Sequence, residues 1–371
     1  MKLLVFELRK IIFDKKFLYL TIFLFAGIAI LFLRNMLFDS YIEKEEQQKI
    51  DSYVLTNQSN KRLLERTLEV DPNNEELQQL KTINDQMLET LFELRSIRSL
   101  DDWQTRLMLE NEFFQMAAEY KNAGGDHPLS FEEIEKTIAL NQKLLQENIK
   151  PEHPTYTTAL PNFLMIVTNL FINLGAISLL LLFVGDIVSS EFENRSIYFL
   201  YTQPLNKIAI FTSKWISSIF VYLFIIFILY GTAIILPLLF GDKGTFQYPI
   251  LLEKNQEIRF ITMKDYLIQS FIIVSIIILV VVNVCMFYSL YFKNTLGSLF
   301  ALSGTLFAGY AVTFIPWKFL FWLNPFQYLL GESRILDQNN SLWYQGIAAG
   351  VVLSLLMYLL SLQKIKFSKL G

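Results

Sequence analysis

Residues 186–214 read DIVSSEFENRSIYFLYTQPLNKIAIFTSK, a charged stretch lying between two long apolar runs. A helix needs roughly 20 apolar residues to cross the hydrocarbon of a bilayer. The run before (160–185) and the run after (215–240) hold no charged residue and are both longer than that. The stretch therefore connects two membrane spans and belongs to neither. Ser190 precedes Glu191, Glu193 and Ser196, and an amphipathic run then reaches Pro204. Acidic residues complement the dipole at a helix start, and proline limits continuation. Two readings stay open: a short helix over 186–204 lying along the membrane face with Lys207 and Lys214 at the headgroups, or an ordinary loop carrying a solvated charge run.

Working outward, four more uncharged runs occupy 17–33, 266–292, 294–317 and 341–363. The first is the shortest and continues past Arg34 to Phe38. The chain is 53% hydrophobic with 33 Phe among its 371 residues, too apolar for a soluble domain. The fold class is an all-α membrane protein with six transmembrane helices. Lys2, Arg9, Lys10, Lys15 and Lys16 precede the first span, and Lys364, Lys366 and Lys369 follow the last. With an even number of spans, the positive-inside rule puts both termini in the cytoplasm of a plasma membrane. No small residues mark a cleavage point, so 1–38 reads as an uncleaved anchor. Its first part sets Leu4, Leu8, Ile11 and Ile12 against Glu7, Lys10 and Asp14, as an interfacial amphipathic helix or a plain basic flank would.

Residues 39–159 contain no run able to span. They hold 13 Lys and Arg against 24 Asp and Glu, a net of −11 beside +8 for the rest, giving −3 in all. Such acidity excludes a nucleic-acid partner. Lying between the first two spans, the insert is expected to be extracytoplasmic. Leu77, Leu80, Met87, Leu88, Leu91, Leu94 and Ile97 recur at helical spacing after Asp71-Pro72-Asn73, and Ser130 with Glu133 forms a capping box before Pro151. The insert reads as three or four helices, either recognising substrate or a partner or acting as a spacer that dimerises. Trp103, Phe113 and Phe114 read as its core. His127 and His153 lack cysteine partners, so no metal site is expected.

Inside the spans, Asn169 and Asn173 share a face one turn apart, and Asn283 lies in the fourth run. Each lines a pathway or bonds a neighbouring helix. Gly297, Ala301, Gly304 and Ala308 form a small-residue stripe suited to a helix–helix seam. No Asp, Glu or Lys stands at mid-depth, which argues against a proton- or ion-coupled carrier. Cys285, the one cysteine, reads as buried and apolar. The segment 316–331, PWKFLFWLNPFQYLLG, is too short and too interrupted to cross; it reads as re-entrant or interfacial, with Trp317 and Trp322 at headgroup level. No phosphate loop, G-x-S-x-G or H-E-x-x-H occurs, so no catalytic residue is assigned.

The leader, the six spans and the pattern S-E-x-E-x-x-S-x-x-x-L-x-x-x-P (Ser190, Glu191, Glu193, Ser196, Leu200, Pro204) resemble the permease subunits of type-2 ABC exporters. The Leu323–Tyr328 piece, L-N-P-F-Q-Y, is similar to that family's re-entrant outer segment. Two departures stand out: Arg195 where the family usually has Gly, and an insert far larger than in compact members. The resemblance implies a permease that exports a peptide, lipid-like or drug-like substrate, with ATP and Mg held on separate ATPase subunits and no cofactor on this chain. Two cytoplasmic ATPases would dock two permeases, identical or related. The 186–204 helix would contact them through Glu191, Glu193 and Arg195 by charge, with Phe192, Ile197, Phe199 and Leu200 supplying apolar contacts. The alternatives are a peptide-antibiotic sensor or immunity subunit with little net transport, a sodium-extrusion-type permease, or a scaffold without an ATPase.

Overall fold

The computed structural model describes residues 2–97, 102–202, 205–255, 257–315 and 317–367. The leader forms α1 (Lys2–Ile12) and passes through Asp14, whose side chain caps α2 (Lys15–Leu37) by accepting from the Lys16 amide at 3.0 Å. After Phe38 the chain continues almost directly into α3 (Asp39–Val70), then α4 (Glu75–Ser96), α5 (Trp103–Asn122) and α6 (Phe131–Glu147). Apolar residues at three- and four-residue spacing give these helices one buried face each. Met87, Leu91, Phe113, Ala117 and Ile134 meet there in a core separate from that of the membrane body. Ser130 and Glu133 make the expected capping box at the start of α6, and Asn148 ends it in a left-handed conformation (φ 52°).

The second span is α7 (Leu160–Leu170) and α8 (Ala176–Val184), joined by a π turn over Phe171–Gly175. Two short helices follow, α9 (Ser189–Glu193) and α10 (Ser196–Thr202), then α11 (Lys207–Phe240). At 34 residues, α11 is about 51 Å long against roughly 30 Å of hydrocarbon, so its ends stand clear of the apolar layer. The remainder comprises strands β1 (Pro249–Lys254) and β2 (Glu257–Thr262), α12 (Met263–Phe292), α13 (Thr295–Ala311), α14 (Leu320–Leu323), α15 (Gly331–Leu336) and α16 (Ile347–Phe367).

Among the described residues, six helices are long and apolar enough to cross a membrane, as expected. The fourth, α12, is the axis: 67% of its span is buried, against 11% for α13. It packs on α7, α13 and α16, while α11 packs on α1, α2 and α7. Six crossings put α1 and α16's end at one face, here the leader end. The insert, the β1–β2 hairpin and the segment around α14–α15 gather at the other, the insert end. Among the described residues the protein is thus all-α except for that hairpin, which interrupts the charged stretch between α11 and α12. Its strands pair antiparallel from Pro249↔Thr262 to Lys254↔Glu257, turning at Asn255 with φ 55°.

Candidate functional site

Residues 186–202 do not form the single helix expected over 186–204. Arg195 takes a left-handed backbone (φ 56°) and splits the stretch into α9 and α10, an elbow. A side chain with a β-carbon strains that conformation by roughly 1–2 kcal/mol. The side chain of Leu200, together with Gln203 and Pro204, lies outside the described residues.

The elbow is held by charge on one side. Glu191 is buried, and its Oε1 lies 2.6 Å from both Lys10 Nζ of α1 and Lys214 Nζ of α11. Lys214 in turn reaches Glu7 Oε1 at 2.9 Å. Two carboxylates and two ammonium groups therefore balance within one knot. Lys214, the eighth residue of α11, lies about 10 Å from its start by helical rise, at interfacial rather than mid-membrane depth. Nearby, the exposed pair Lys16–Asp186 (2.9 Å) adds a second tie from the leader. On the other side, Glu193 Oε1 accepts from the Thr295 amide at 2.6 Å, placing a carboxylate at the positive end of α13. Ser189 Oγ and Thr295 Oγ1 lie 2.9 Å apart.

This geometry corrects two assignments within the elbow. Glu191 and Ile197 face inward, 3% and 2% exposed, so neither side chain is presented to a docking protein. A carboxylate between two lysines and an isoleucine on the packed side of a short helix are both more stable away from water. Arg195, Ser196 and Phe199 face outward, Phe199 at 80% exposure, and Phe192 is half-buried against the core. Glu7 and Lys10 were missed as partners of the elbow; the matched charges on the leader's polar side were the available signal.

A second polar group forms where the second span breaks. Asn173 leaves helical geometry (φ −77°, ψ −138°) within the π turn. Asn169 Nδ2 donates to Glu332 Oε1 at 2.9 Å, Asn173 Nδ2 donates to Glu332 Oε2 at 3.0 Å, and Tyr266 OH donates to Asn169 Oδ1 at 2.6 Å. Asn169 and Asn173 do share a face. The spans themselves carry no acidic group here, but Glu332 reaches the second span from α15. Gly331 permits this approach: a β-carbon there would come within 2.6 Å of Ile172. The L-N-P-F-Q-Y piece locks the same segment. Asn324 Nδ2 donates to Gly309 O at 2.8 Å, and buried Gln327 donates to Phe321 O (2.7 Å) and Gln345 O (2.6 Å).

The remaining candidates have local roles. Asn283 Oδ1 accepts from Trp215 Nε1 at 3.1 Å, joining α12 to α11. Gly297 leaves room for the Asn294 side chain that caps α13, its amide donating to Asn294 Oδ1 at 2.6 Å. Ala301 is half-buried, while Gly304 and Ala308 are exposed and nothing would meet a β-carbon at Gly304, so the stripe makes no seam within the chain. On α13 the close approach is Gly309 against Phe326 instead.

The elbow is thus pinned to α1, α11 and α13 through Glu191, Glu193 and Ser189. The chain agrees with a family model described as ABC-2 family transporter protein over residues 1–362. No curated protein and no solved structure matches it. Members are the membrane subunits of transporters that work with an ABC ATPase. With the spans, the elbow and a match along nearly its whole length, this chain belongs to the ABC-2 family of transporter proteins and is a multi-pass membrane permease subunit.

Proposed function

We propose that the chain is the permease of an ATP-driven exporter for a peptide, lipid-like or drug-like substrate, with its leader end in the cytoplasm. Two ATPase subunits, carrying ATP and Mg, dock on two permeases, identical or related. The observation that carries this reading is the buried knot joining Glu191 of the elbow to α1 and α11. Arg195, Ser196 and Phe199 form the face offered to the ATPase. Closure of the ATPases displaces the elbow as a body, because separating Glu191 from its lysines would strand buried charge. The second span moves with it by covalent continuity. The Asn169–Asn173–Glu332 bonds then pass the motion to the segment around α15 at the outer face, biasing a two-state pathway.

Phe199→Asp tests the docking face without touching the core. Co-purification of the ATPase should fall by about tenfold or more, as for loss of an aromatic anchor. Recovery of the ATPase at the wild-type level would sink the coupling role. ATP-dependent uptake of substrate into inside-out vesicles is expected of the wild-type complex; docking without uptake would favour a sensor or immunity subunit.

A further inference from the structure

At the insert end, a cavity of about 760 Å³ opens where three segments meet. Glu147, Lys150 and Glu152 come from the exit of the insert, Asn162 from the first turn of the second span, and Asp242 and Tyr248 from the chain leaving α11. Its size falls in the range of sites for small ligands, about 300–1,000 Å³. A neighbouring cavity of about 280 Å³ shares Lys150, Glu152, Asp242 and Tyr248. Backbone contacts fix the walls: the Leu160 amide donates to Asp242 O at 3.2 Å, and the Met263 amide to Tyr248 O at 2.9 Å.

The polar groups here are incompletely used. Glu152 Oε2 accepts from Thr157 Oγ1 at 2.7 Å, but neither Glu152 nor Asp242 has an ion-pair partner among the described residues. Burial pushes Glu152 above its ordinary carboxylate value; the Thr157 bond lowers it, the Asp242 charge raises it again and the Lys150 charge lowers it. Asn162 is 8% exposed, and its side-chain oxygen has no hydrogen-bond partner. Lys150 and Lys243 line the same space and pair with neither carboxylate. The cavity thus presents acceptors and cations together. It opens beside the head of a span, and Leu238, Leu239 and Phe240, all exposed, run up to its edge.

A ligand suited to this has a primary ammonium with three N–H donors, an anionic group beside it, and apolar chains. We propose that the cavity binds the headgroup of a phosphatidylethanolamine lipid. The ammonium lies between Glu152 and Asp242 near Asn162 and Tyr248, the phosphate faces Lys150 and Lys243, and the acyl chains follow Leu238–Phe240. The inference does not depend on the exporter reading. It predicts selectivity over phosphatidylcholine, whose quaternary nitrogen donates no N–H bond to the half-buried Glu152 or the exposed Asp242 and leaves the buried Asn162 oxygen unpaired.

The test uses the purified full chain in detergent with phosphatidylethanolamine and phosphatidylcholine carrying the same fluorophore on an acyl chain. Wild type should bind the ethanolamine lipid saturably and about tenfold more tightly. Glu152→Gln with Asp242→Asn should bring the two lipids to near parity. Lys150→Gln with Lys243→Gln should weaken both while keeping the preference. Size-exclusion chromatography identifies any variant that fails to fold, and the preference within wild type stands as an independent measurement. Equal affinity in wild type, or an undiminished preference in the carboxylate variant, would overturn the proposal. So would displacement of neither lipid by O-phosphoethanolamine while a lysine peptide bound the cavity more tightly, which would assign it to a soluble ligand.

Discussion

At each end of the bundle a glutamate ties distant segments together, and the two ties differ in their exposure to water. At the leader end Glu191 joins α9 to α1 and α11 from a buried position. At the insert end Glu253 of β1 pairs with Lys136 of α6 and accepts from Asn339 Nδ2 at 3.2 Å, with its side chain 33% exposed. The connectivity is alike, since each glutamate links segments distant in sequence. The cost of failure is not. Removing one partner of a buried ion pair costs about 3–5 kcal/mol, because the remaining charge keeps its desolvation penalty. An exposed pair is worth about 0–1 kcal/mol. The buried tie cannot open cheaply; the half-buried one, with water at hand on one side, can open and reform.

The largest test of that contrast is Lys214→Met, which leaves Glu7 without its paired cation and Glu191 held by Lys10 alone of its two lysines. Thermal unfolding in detergent should show a loss of about 3–5 kcal/mol. The triple variant Glu7→Gln, Glu191→Gln, Lys214→Met removes every charge but that of Lys10 and should recover much of it. A single-variant loss below about 1 kcal/mol would mean the knot behaves as a surface pair.

Between these extremes stands Glu332, half-buried and bonded to both asparagines of the second span. Bonds to a charged acceptor contribute about 1.5–3 kcal/mol, so Glu332→Gln should cost about 2 kcal/mol. Paired with Asn169→Ala in a double-mutant cycle, it should show coupling above about 0.5 kcal/mol. Strict additivity would break the link drawn between the second span and the outer segment.

These ties explain which parts of the molecule were legible in the sequence. Spans follow from local length and hydropathy, and α6 from Ser130 and Glu133 three residues apart. The hairpin was legible too: Glu257, Ile258, Arg259, Phe260 alternate beside Asn255, a residue tolerant of left-handed turns. The charges on and beside its strands, from Glu253 to Asp265, mask that alternation. The elbow's position was readable from Ser190 through Pro204, but not its break, which rests on the backbone of one residue. The glutamate contacts were not legible. Lys214 and Glu7 are 207 residues apart and Asn169 and Glu332 are 163 apart, and no spacing rule spans such distances. The Gly297–Gly304 stripe makes no seam within the chain, because small residues serve caps as well as seams and Gly297 serves the Asn294 cap.

The smallest effect lies at Glu253, and pH isolates it. Its hydrogen bond with Lys136 holds the Glu253 carboxyl below its ordinary value, against the push of partial burial. Bonds to Glu132 and then Glu253 hold Lys136 above its own. A depressed carboxyl contributes stability that is whole above the unfolded value, about 4.3, and is lost as pH falls through the folded one. A raised lysine contributes stability that is whole below about 10.4 and is lost as pH rises further. The clamp should therefore be constant through neutral pH and fade in acid. Wild type minus Lys136→Ala, measured by thermal unfolding, should shrink toward zero by about pH 3 from no more than about 1 kcal/mol near neutrality. It should shrink further with salt, whose Debye length at physiological strength is about 8 Å. A difference of several kcal/mol, or one insensitive to salt, would put this tie in the same class as the buried knot and erase the asymmetry between the two ends.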